Sequence, residues 1–486
     1  MEVLSVAAEV YPLIKTGGLA DVAGALPTAV ASRGISMRTL VPGYPVVTGQ
    51  MAGGRVVAQM ADYFGGEARL LAGRAGELDL IVLDAPHLFD RPGSPYQAPD
   101  GSDWPDNWRR FAALSFAAYE LGRGVVEGYR PQILHAHDWQ AGLVPAYVAY
   151  NAPTQVKTVQ TVHNLAFQGV FGWEVFGELR LDFQAAEEGA IEYFGSIGYL
   201  KAGLQCADVL TTVSPTYAHE IRTAAYGMGL EGLLQDRAGD LYGILNGIHE
   251  RAWNPASDPA LPETYAAGST HKRAANKTEL ARRFGLDNEA GPLFAVVSRL
   301  TWQKGIDLLA ECIDGLVEQG GRLAVLGSGD GALENAIKGA AMRHPGRVGI
   351  VTGYDENMSH LLQGGADIIV IPSRFEPCGL TQLYGLRYGC VPLVSRVGGL
   401  ADTVIDANEA AVEAGVATGI VFAPATQEAL AEAIRRTIHL FGREKVWKKM
   451  QRRGMKTDVS WEASARKYAN IYSNLLGLKR DDHQDD

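Results

Sequence analysis

A lysine stands beside two glycines near the start of the chain, in the stretch Lys15-Thr16-Gly17-Gly18. An ammonium group and the backbone N–H groups that glycine leaves accessible can together bind a phosphate. The pattern Gly-Gly-Leu-Ala-Asp of this stretch returns from Gly398, where Arg396 is the nearby cation. We expect each Gly-Gly turn to approach a ligand, although tight packing of a strand against a helix would require the same glycines.

Three histidines follow apolar runs in the first half of the chain. His135 and His137 in "HAHDWQ" lie on one side of a predicted strand, but no third ligand is near, so we expect no metal site. His163 and Asn164 in "TVHNLAFQG" could bind hydroxyl groups in a buried polar pocket. A single histidine is more often a structural residue, so this stretch alone predicts little.

An aspartate stands next to a tryptophan at the end of the "HAH" run. Asp138 and Trp139 are a candidate sugar-binding pair, because a carboxylate binds hydroxyl groups and a ring face packs on C–H groups. Asp138 could equally cap the helix that follows.

Cations and an acid follow the apolar runs of the second half. Arg299 and Lys304 in "SRLTWQKGI" could clamp a diphosphate and stabilise the charge that develops on a leaving phosphate. In "PSRFEPCGLTQLY", Pro377 precedes a predicted helix start at Gly379–Thr381, whose free N–H groups suit a phosphate. Glu376 is poorly placed there for a buried structural role, and we expect it to contact a hydroxyl or a developing cation.

A competing motif lies in "LAVLGSGDGALENA". Gly327, Gly329 and Ala332 follow a predicted strand and open a helix, and Asp355 stands roughly 20 residues on, as a dinucleotide fingerprint requires. A nicotinamide-dependent oxidoreductase is therefore an alternative, although a single fingerprint of this kind is a weak signal.

The elements that position these residues are short apolar runs that alternate with helical patterns. Two such series predict two doubly wound α/β domains with parallel sheets, because parallel strands are covered by helices on both faces. We place the domains at residues 1–245 and 246–456, the second opening with a segment rich in Pro and polar residues. An amphipathic helix at 457–478 is expected to return to the first domain, and a polar tail follows at 479–486.

Composition excludes several classes of protein. The chain has 486 residues and a net charge of -11, which disfavours nucleic acid as a partner. Its 4 cysteines form no CxxC pair, so neither a zinc site nor a disulfide framework is expected. There is no basic leader and no apolar run of about 20 residues, so we expect a cytoplasmic protein that neither binds nor crosses a membrane.

Taken together, the motifs resemble those of the bacterial glycogen synthase and plant starch synthase family. The resemblance rests on "KTGGL", "HAHDWQ", "TVHNLAFQG", "LNGI", "SRLTWQKG", "PSRFEPCGLTQLY" and "VGGLADTV", in that order, and reaches about Leu478. It implies a GT-B fold, in which two Rossmann-like domains face a deep cleft. It also implies transfer of glucose from ADP-glucose to the non-reducing end of an α-1,4-glucan such as glycogen, with retention of configuration and without metal or other cofactor.

The resemblance also implies roles for individual residues. The first domain would face the glucan acceptor, and the second would hold the nucleotide sugar. The donor phosphates would be held by Lys15, Gly18, Arg299, Lys304 and the turn Cys378, Gly379, Leu380 and Thr381. Tyr354 would stack on adenine, and the glucose would be surrounded by Asp138, His163, Asn164, Asn246 and Glu376. The residues expected to act in catalysis are Glu376, His163, Arg299, Lys304 and Asp138.

The sequence leaves alternatives open for both the mechanism and the activity. Glu376 could act as the nucleophile of a double displacement, whereas the resemblance favours a front-face route in which the leaving phosphate helps to deprotonate the acceptor. A catalytically inactive glucan-binding protein is a further possibility. It would have no need to keep Lys15, Arg299, Lys304 and Glu376.

Overall fold

The computed structural model describes residues 1–478, so the predicted polar tail at 479–486 lies outside the described residues. The chain divides into two compact units. Unit 1 comprises Met1–Asn246 together with the described residues from Trp461 onward, and unit 2 comprises Gly247–Ser460. The chain therefore leaves unit 1, builds unit 2 and then returns to unit 1.

Unit 1 is built on a large, mainly parallel sheet. The strands of unit 1 are β1 (Glu2–Val6), β2 (Ser36–Pro42), β3 (Ala52–Met60), β4 (Ala68–Ala75), β5 (Leu78–Asp84), β6 (Ile133–His137), β7 (Lys157–Val162), β8 (Val170–Phe171), β9 (Glu192–Tyr193), β10 (Ser196–Gly198), β11 (Val209–Thr212) and β12 (Leu241–Gly243). Nine of them form the large sheet. The order is β12–β11–β7–β6–β1–β2–β5–β4–β3, in which β3 and β4 are antiparallel to their neighbours. A small antiparallel sheet, β8–β10–β9, stands apart.

The helices of unit 1 cover both faces of this sheet. They are α1 (Gly18–Ala31), α2 (Pro45–Thr48), α3 (Pro86–Phe89), α4 (Asn107–Arg123), α5 (Leu143–Tyr150), α6 (Gln184–Glu187), α7 (Tyr199–Cys206), α8 (Pro215–Glu220) and α9 (Glu231–Asp236). Successive side chains of a strand point to opposite faces. Val3 of β1 accordingly packs with Val22 of α1, whereas Leu4 packs in the cluster that contains Phe111 of α4.

Unit 2 has a fully parallel sheet. Its strands are β13 (Leu293–Val297), β14 (Arg322–Gly327), β15 (Val348–Thr352), β16 (Ile368–Ile371), β17 (Val391–Ser395) and β18 (Ile420–Phe422), in the order β15–β14–β13–β16–β17–β18. Its helices are α10 (Arg273–Arg283), α11 (Ile306–Glu318), α12 (Gly331–Arg343), α13 (Glu356–Gly365), α14 (Thr381–Tyr388), α15 (Gly398–Thr403), α16 (Glu409–Ala414), α17 (Gln427–Gly442) and α18 (Glu444–Met455). Phe294 and Leu293 face different apolar clusters, so this sheet is also covered on both sides.

The irregular segment between β12 and α10 is fixed to unit 2 by aromatic packing and by buried hydrogen bonds. The Trp253 ring lies between the rings of His360 and Tyr384, with centroids 3.8 and 3.6 Å away and nearly parallel planes. The buried Asp258 carboxylate lies 2.6 Å from His360 Nδ1 and accepts a 2.5 Å hydrogen bond from the Tyr388 hydroxyl. Unit 2 therefore begins with a firmly packed segment.

The last described helix, α19 (Glu462–Leu475), packs against unit 1. It starts later than the predicted residue 457, because the Asp458 carboxylate accepts from the Ser460 N–H in a turn and the Val459 carbonyl accepts from Ile248. Tyr468 and Tyr472 of α19 lie in one apolar cluster with residues of α1 and β1.

The order of strands reverses once in each main sheet. In unit 1 the reversal lies between β1 and β6, and in unit 2 it lies between β13 and β16. Ligands of doubly wound sheets bind beyond the carboxyl ends of the strands at such a point. The loops that follow these strands carry Lys15 and Asp138 in unit 1, and Arg299 and Glu376 in unit 2.

Candidate active site

A buried carboxylate holds the loop that carries Lys15. Glu9 is 2% exposed and accepts hydrogen bonds from Thr16 Oγ1, at 2.6 Å, from the Thr16 N–H and from the Tyr96 hydroxyl. Lys15 Nζ donates to Asp21 at 2.8 Å. No atom lies within 4 Å of the position that a Cβ would take at Gly18, where α1 begins. The first Gly-Gly turn therefore leaves open space above its backbone.

Asp138 fixes the loop after the neighbouring strand. Its Oδ1 accepts hydrogen bonds from the backbone N–H groups of His163, at 2.6 Å, and Asn164, at 3.4 Å. Burial raises the pKa of the Asp138 carboxyl to about 7, although both hydrogen bonds act to lower it. The backbone has φ 54° and ψ −165°, a region that glycine prefers, so this residue is held under strain. The helix-cap alternative is wrong, because no side-chain cap is formed at the turn that follows.

The Trp139 ring, the other half of the predicted sugar-binding pair, is partly buried in unit 1. The ring packs edge-on against Phe111, with centroids 4.9 Å apart, and lies 6.0 Å from Phe171. A Cβ added at Gly169 would lie 2.4 Å from the same ring. Trp139 is therefore part of an aromatic cluster in unit 1, and its contact with a sugar stays a prediction.

His163 belongs to a short chain of buried polar groups. Its Nε2 lies 3.0 Å from His137 Nδ1, and His137 Nε2 lies 3.1 Å from Ser5 Oγ. Burial lowers the pKa of His137 to about 3 and that of His163 well below its usual value, so both rings are neutral near pH 7. His135 hydrogen-bonds instead to Tyr472 and Thr161.

Two asparagines complete the polar groups of unit 1. Asn164 Oδ1 accepts from the Ala166 N–H at 3.0 Å, which closes a turn. Asn246 is 8% exposed, and its buried Oδ1 has no hydrogen-bond partner among residues 1–478. Buried polar atoms are normally paired, so an unpaired oxygen here is a candidate for contact with a ligand.

An ion pair lies at the reversal point of unit 2. Lys304 Nζ is 2.5 Å from Glu376 Oε2, and Ser373 Oγ donates to the same oxygen at 2.9 Å. The two loops meet because β13 and β16 are neighbours in the sheet. Glu376 is only 7% exposed, so the expectation that it lacks a buried role needs correction: this carboxylate also neutralises Lys304. Arg299 is exposed, and its guanidinium has no partner in the described part of the chain.

The turn before α14 offers backbone donors. Gly379 has φ +72°, which glycine adopts readily, and Leu380 at the N-cap provides no side-chain acceptor. The first N–H groups of a helix have no partner within it, so those from Thr381 onward are available to an anion. Cys378 is 5% exposed, and Tyr354, after β15, is 72% exposed.

The glycines of the second Gly-Gly turn are closely packed, unlike those of the first. A Cβ added at Gly398 would lie 2.0 Å from the Glu376 carbonyl oxygen, and one at Gly399 would lie 2.2 Å from that of Cys378. The Gly399 N–H donates to the carbonyls of Glu376 and Pro377, both at 3.1 Å. Here the packing alternative is correct, because these glycines let α15 support the loop that carries Glu376.

The glycines of the competing dinucleotide fingerprint are explained by packing. A Cβ at Gly327 would lie 1.9 Å from the Ser298 carbonyl oxygen. The Gly329 N–H donates to the Glu334 carboxylate at 3.0 Å, so this donor is already used. Asp355, the candidate ribose ligand, caps α13 instead.

Three buried residues that support the site were missed by the sequence analysis: Ser5, Glu9 and Ser373. Each is a polar residue inside an apolar strand or within three residues of its end. That position was the available signal, because a polar group buried at a strand end needs a partner.

Relatives that cover the whole chain decide its family. A glycogen synthase of Mesorhizobium japonicum is 56% identical over 479 residues, which are 99% of this chain and 100% of the relative. A glycogen synthase of Rhizobium johnstonii is 54% identical over 98% of this chain and 99% of the relative. The chain belongs to the glycogen synthase family. The resemblance in the sequence motifs is thereby confirmed.

Family models and solved structures agree with membership of the glycogen synthase family. The starch synthase catalytic domain model matches residues 2–236, and the model of glycosyl transferases group 1 matches residues 277–454. The catalytic domain of starch synthase IV from Arabidopsis thaliana, solved with ADP and acarbose, has a TM-score of 0.88 and 30% identity, covering 98% of this chain and 99% of that chain. Sucrose-phosphate synthase from Thermosynechococcus elongatus, at TM-score 0.60 and 19% identity with the same coverage, shows the fold alone. The predicted GT-B fold class of two Rossmann-like domains is confirmed.

Neither a cluster of metal-ligating side chains nor a membrane-spanning helix is found in the part of the chain that the structure describes. Residues 1–478 contain no group of three or more His, Cys, Asp or Glu side chains arranged to hold a metal ion. Within the same residues, every helix is too short or too polar to cross a membrane.

Proposed function

We propose that this chain transfers glucose from ADP-glucose to the non-reducing end of an α-1,4-glucan, with retention of the anomeric configuration. The proposal is supported by relatives that are named glycogen synthase and by a similar starch synthase domain that binds ADP and acarbose. The observation that carries it is the Lys304–Glu376 ion pair at the reversal point of the unit 2 sheet, where the loop that holds Lys304 also carries the exposed Arg299.

The cations of unit 2 are proposed to hold the donor diphosphate. Lys304 can keep its contact with Glu376 while it donates to a phosphate, because an ammonium group has three donors. Arg299 and the N–H groups before α14 add further donors. When the bond between the glucose C1 and the phosphate oxygen breaks, its electron pair stays on the diphosphate, and these positive groups stabilise that charge.

The glucose is proposed to contact polar groups that have capacity left for a ligand. Glu376 Oε1 and Asp138 Oδ2 accept no hydrogen bond from residues 1–478, and Asn246 Oδ1 is unpaired. His163 and Asn164 lie beside Asp138 through the hydrogen bonds of their backbone N–H groups. For the rest of the donor we retain the contacts that the family resemblance implies. These are Lys15, Gly18, Cys378, Gly379, Leu380 and Thr381 for the phosphates, and Tyr354 for adenine.

Retention is proposed to follow from a front-face step. The acceptor hydroxyl bonds to C1 on the face that the diphosphate leaves, and its proton passes to the departing phosphate oxygen. The double-displacement alternative would first form a glucosyl ester on Glu376. Intact-mass spectrometry of protein quenched with ADP-glucose distinguishes the two routes, because only the second gives an adduct of one glucosyl group.

The activity is tested with purified protein and three donors. ADP-glucose, UDP-glucose and NAD(H) are each supplied with and without glycogen, and nucleotide release, glucan growth and absorbance of NADH are followed. We expect ADP release that requires glycogen, with new α-anomeric linkages in the proton NMR spectrum. Redox turnover without glucan growth would replace the proposal by an oxidoreductase. Glycogen binding without turnover would replace it by an inactive glucan-binding protein.

A further inference from the structure

Ser5, His137 and His163 form one hydrogen-bonded chain inside unit 1. Ser5 and His137 are 1% and 0% exposed, and the links between successive residues are 3.1 and 3.0 Å long. Both imidazoles are neutral, because burial lowers the pKa of each ring. A neutral imidazole has one N–H donor and one bare nitrogen acceptor, so the protons of the chain can run in only two directions.

The two directions differ in what they require of Ser5. If His163 Nε2–H donates to His137 Nδ1, then His137 Nε2–H donates to Ser5 Oγ, and the serine proton needs another acceptor. No other acceptor lies within hydrogen-bond distance of Ser5 Oγ in residues 1–478. In the opposite direction the Ser5 hydroxyl donates to His137 Nε2, and every proton in the chain has an acceptor. Because a buried donor without an acceptor is costly, the second direction is favoured.

We propose that Ser5 and His137 are positioning residues that hold His163 as the tautomer protonated on Nδ1. His163 Nε2 is then occupied by the proton of His137 Nδ1. His163 Nδ1 has no partner among the described residues, and it offers an N–H donor. Resting on the proposed function, this donor binds an oxygen of the glucose. The lone pair of His163 Nε2 already accepts from His137, so neither ring nitrogen of His163 is free to remove the proton of the acceptor hydroxyl.

The proton positions can be observed without any assumption about activity. Neutron diffraction from crystals of the deuterated protein near pH 7 reports deuterium on each ring nitrogen. We expect deuterium on Nδ1 of both His137 and His163, with bare Nε2 atoms. Deuterium on Nε2 of His163 overturns the proposal. The deuterium positions test the proposed tautomers even if the protein proves not to transfer glucose.

Variants test whether the chain acts through His163. Ser5→Ala should lower kcat/KM roughly 3–10-fold, as loss of one buried hydrogen bond does. The matched control is Tyr472→Phe, which removes a buried hydroxyl 2.7 Å from His135 in the same cluster but outside the chain. It should change kcat/KM by less than about 2-fold. Equal losses in the two variants overturn the proposal.

A double-mutant cycle separates positioning from general packing. His137→Leu should lower kcat/KM by roughly 100-fold, and His137→Asn should recover much of it because the amide N–H can replace Nδ1–H. In a His163→Ala background, Ser5→Ala should lower kcat/KM by less than about 2-fold, because His163, through which Ser5 acts, is already absent. A full loss from Ser5→Ala in that background would show a structural role only. If His137→Leu does not fold, the Ser5 and His163 pair still completes the cycle.

Discussion

At the scale of single residues, Arg299 and Lys304 are expected to act through charge. Replacing either by Ala should lower kcat by roughly 100-fold or more, because each stabilises the charge on the leaving diphosphate. Arg282→Ala is the control, since among residues 1–478 that exposed guanidinium pairs only with Glu279 on the same helix. Rates of ADP release per folded molecule provide the measurement. Near-normal turnover in both site variants would remove the phosphate assignment.

Glu376 contacts Lys304 and Ser373, and replacing it by glutamine removes its charge while keeping its shape. In Glu376→Gln the amide oxygen can still accept from Ser373, and Lys304 keeps contact with solvent at 19% exposure. We therefore expect a fall in kcat of about 100-fold or more, with a decrease in melting temperature of only a few degrees. A large decrease in melting temperature with unchanged activity per folded molecule would indicate a structural role.

The raised pKa of Asp138 predicts a pH dependence of stability. Between about pH 4 and pH 7 the folded state retains a proton on Asp138 that the unfolded state has released. The free energy of unfolding therefore falls as the pH rises through this window, by about 4 kcal/mol in total. Asp138→Asn keeps the acceptor oxygen and removes this pH-dependent contribution to the free energy of unfolding.

Urea unfolding at several pH values gives the measurement for Asp138. The stability of Asp138→Asn relative to the unmodified chain should increase from pH 4 to pH 8. A difference that stays constant with pH would show that the carboxyl titrates normally.

At the scale of elements, the two Gly-Gly turns allow a matched comparison. Gly399→Ala should destabilise unit 2 by about 1–3 kcal/mol, because the new Cβ would meet the Cys378 carbonyl oxygen and push the loop that carries Glu376. Gly18→Ala, at the equivalent position of the first turn, should change stability by less than about 0.5 kcal/mol, since α1 begins there and the space around it is open. Unfolding free energies from urea titrations check both. Equal effects would mean that the turns are equivalent.

The sequence was sufficient to predict elements but not which of them are neighbours. Buried parallel strands such as β1 and β13 read as apolar runs, so two doubly wound domains could be predicted. The antiparallel β3 and β4 were missed: much of β3 is exposed, so neither its pattern nor its Gly-Gly pair reads as a buried strand.

Contacts between distant residues depend on the order of strands. Ser5 and His137 are 132 residues apart, and Lys304 and Glu376 are 72 residues apart, yet each pair lies on neighbouring strands or loops. The contacts of Trp139 could not be predicted from the sequence for the same reason. A tryptophan at a strand end has the same local sequence whether its ring faces a ligand or, as here, Phe111 of α4.

At the scale of the whole molecule, α19 is expected to be essential to unit 1. A chain that ends before Trp461 would expose the apolar side of α1, including Val22 and Leu26, and would lose the bond from Tyr472 to His135. We expect poor recovery of soluble protein and strong binding of an apolar dye. A chain that lacks residues 479–486 is the control. Normal yield and activity of the chain that ends before Trp461 would show that α19 is dispensable.

The return of the chain to unit 1 also sets an order of events during synthesis. About 210 residues separate Asn246 from Trp461. At about 5–20 residues per second, a ribosome needs roughly 10–40 s to add them. Throughout that time the nascent first unit has no α19, while unit 2 emerges as one continuous segment. The amino-terminal half of the chain is thus the first to leave the ribosome and the last to complete its fold.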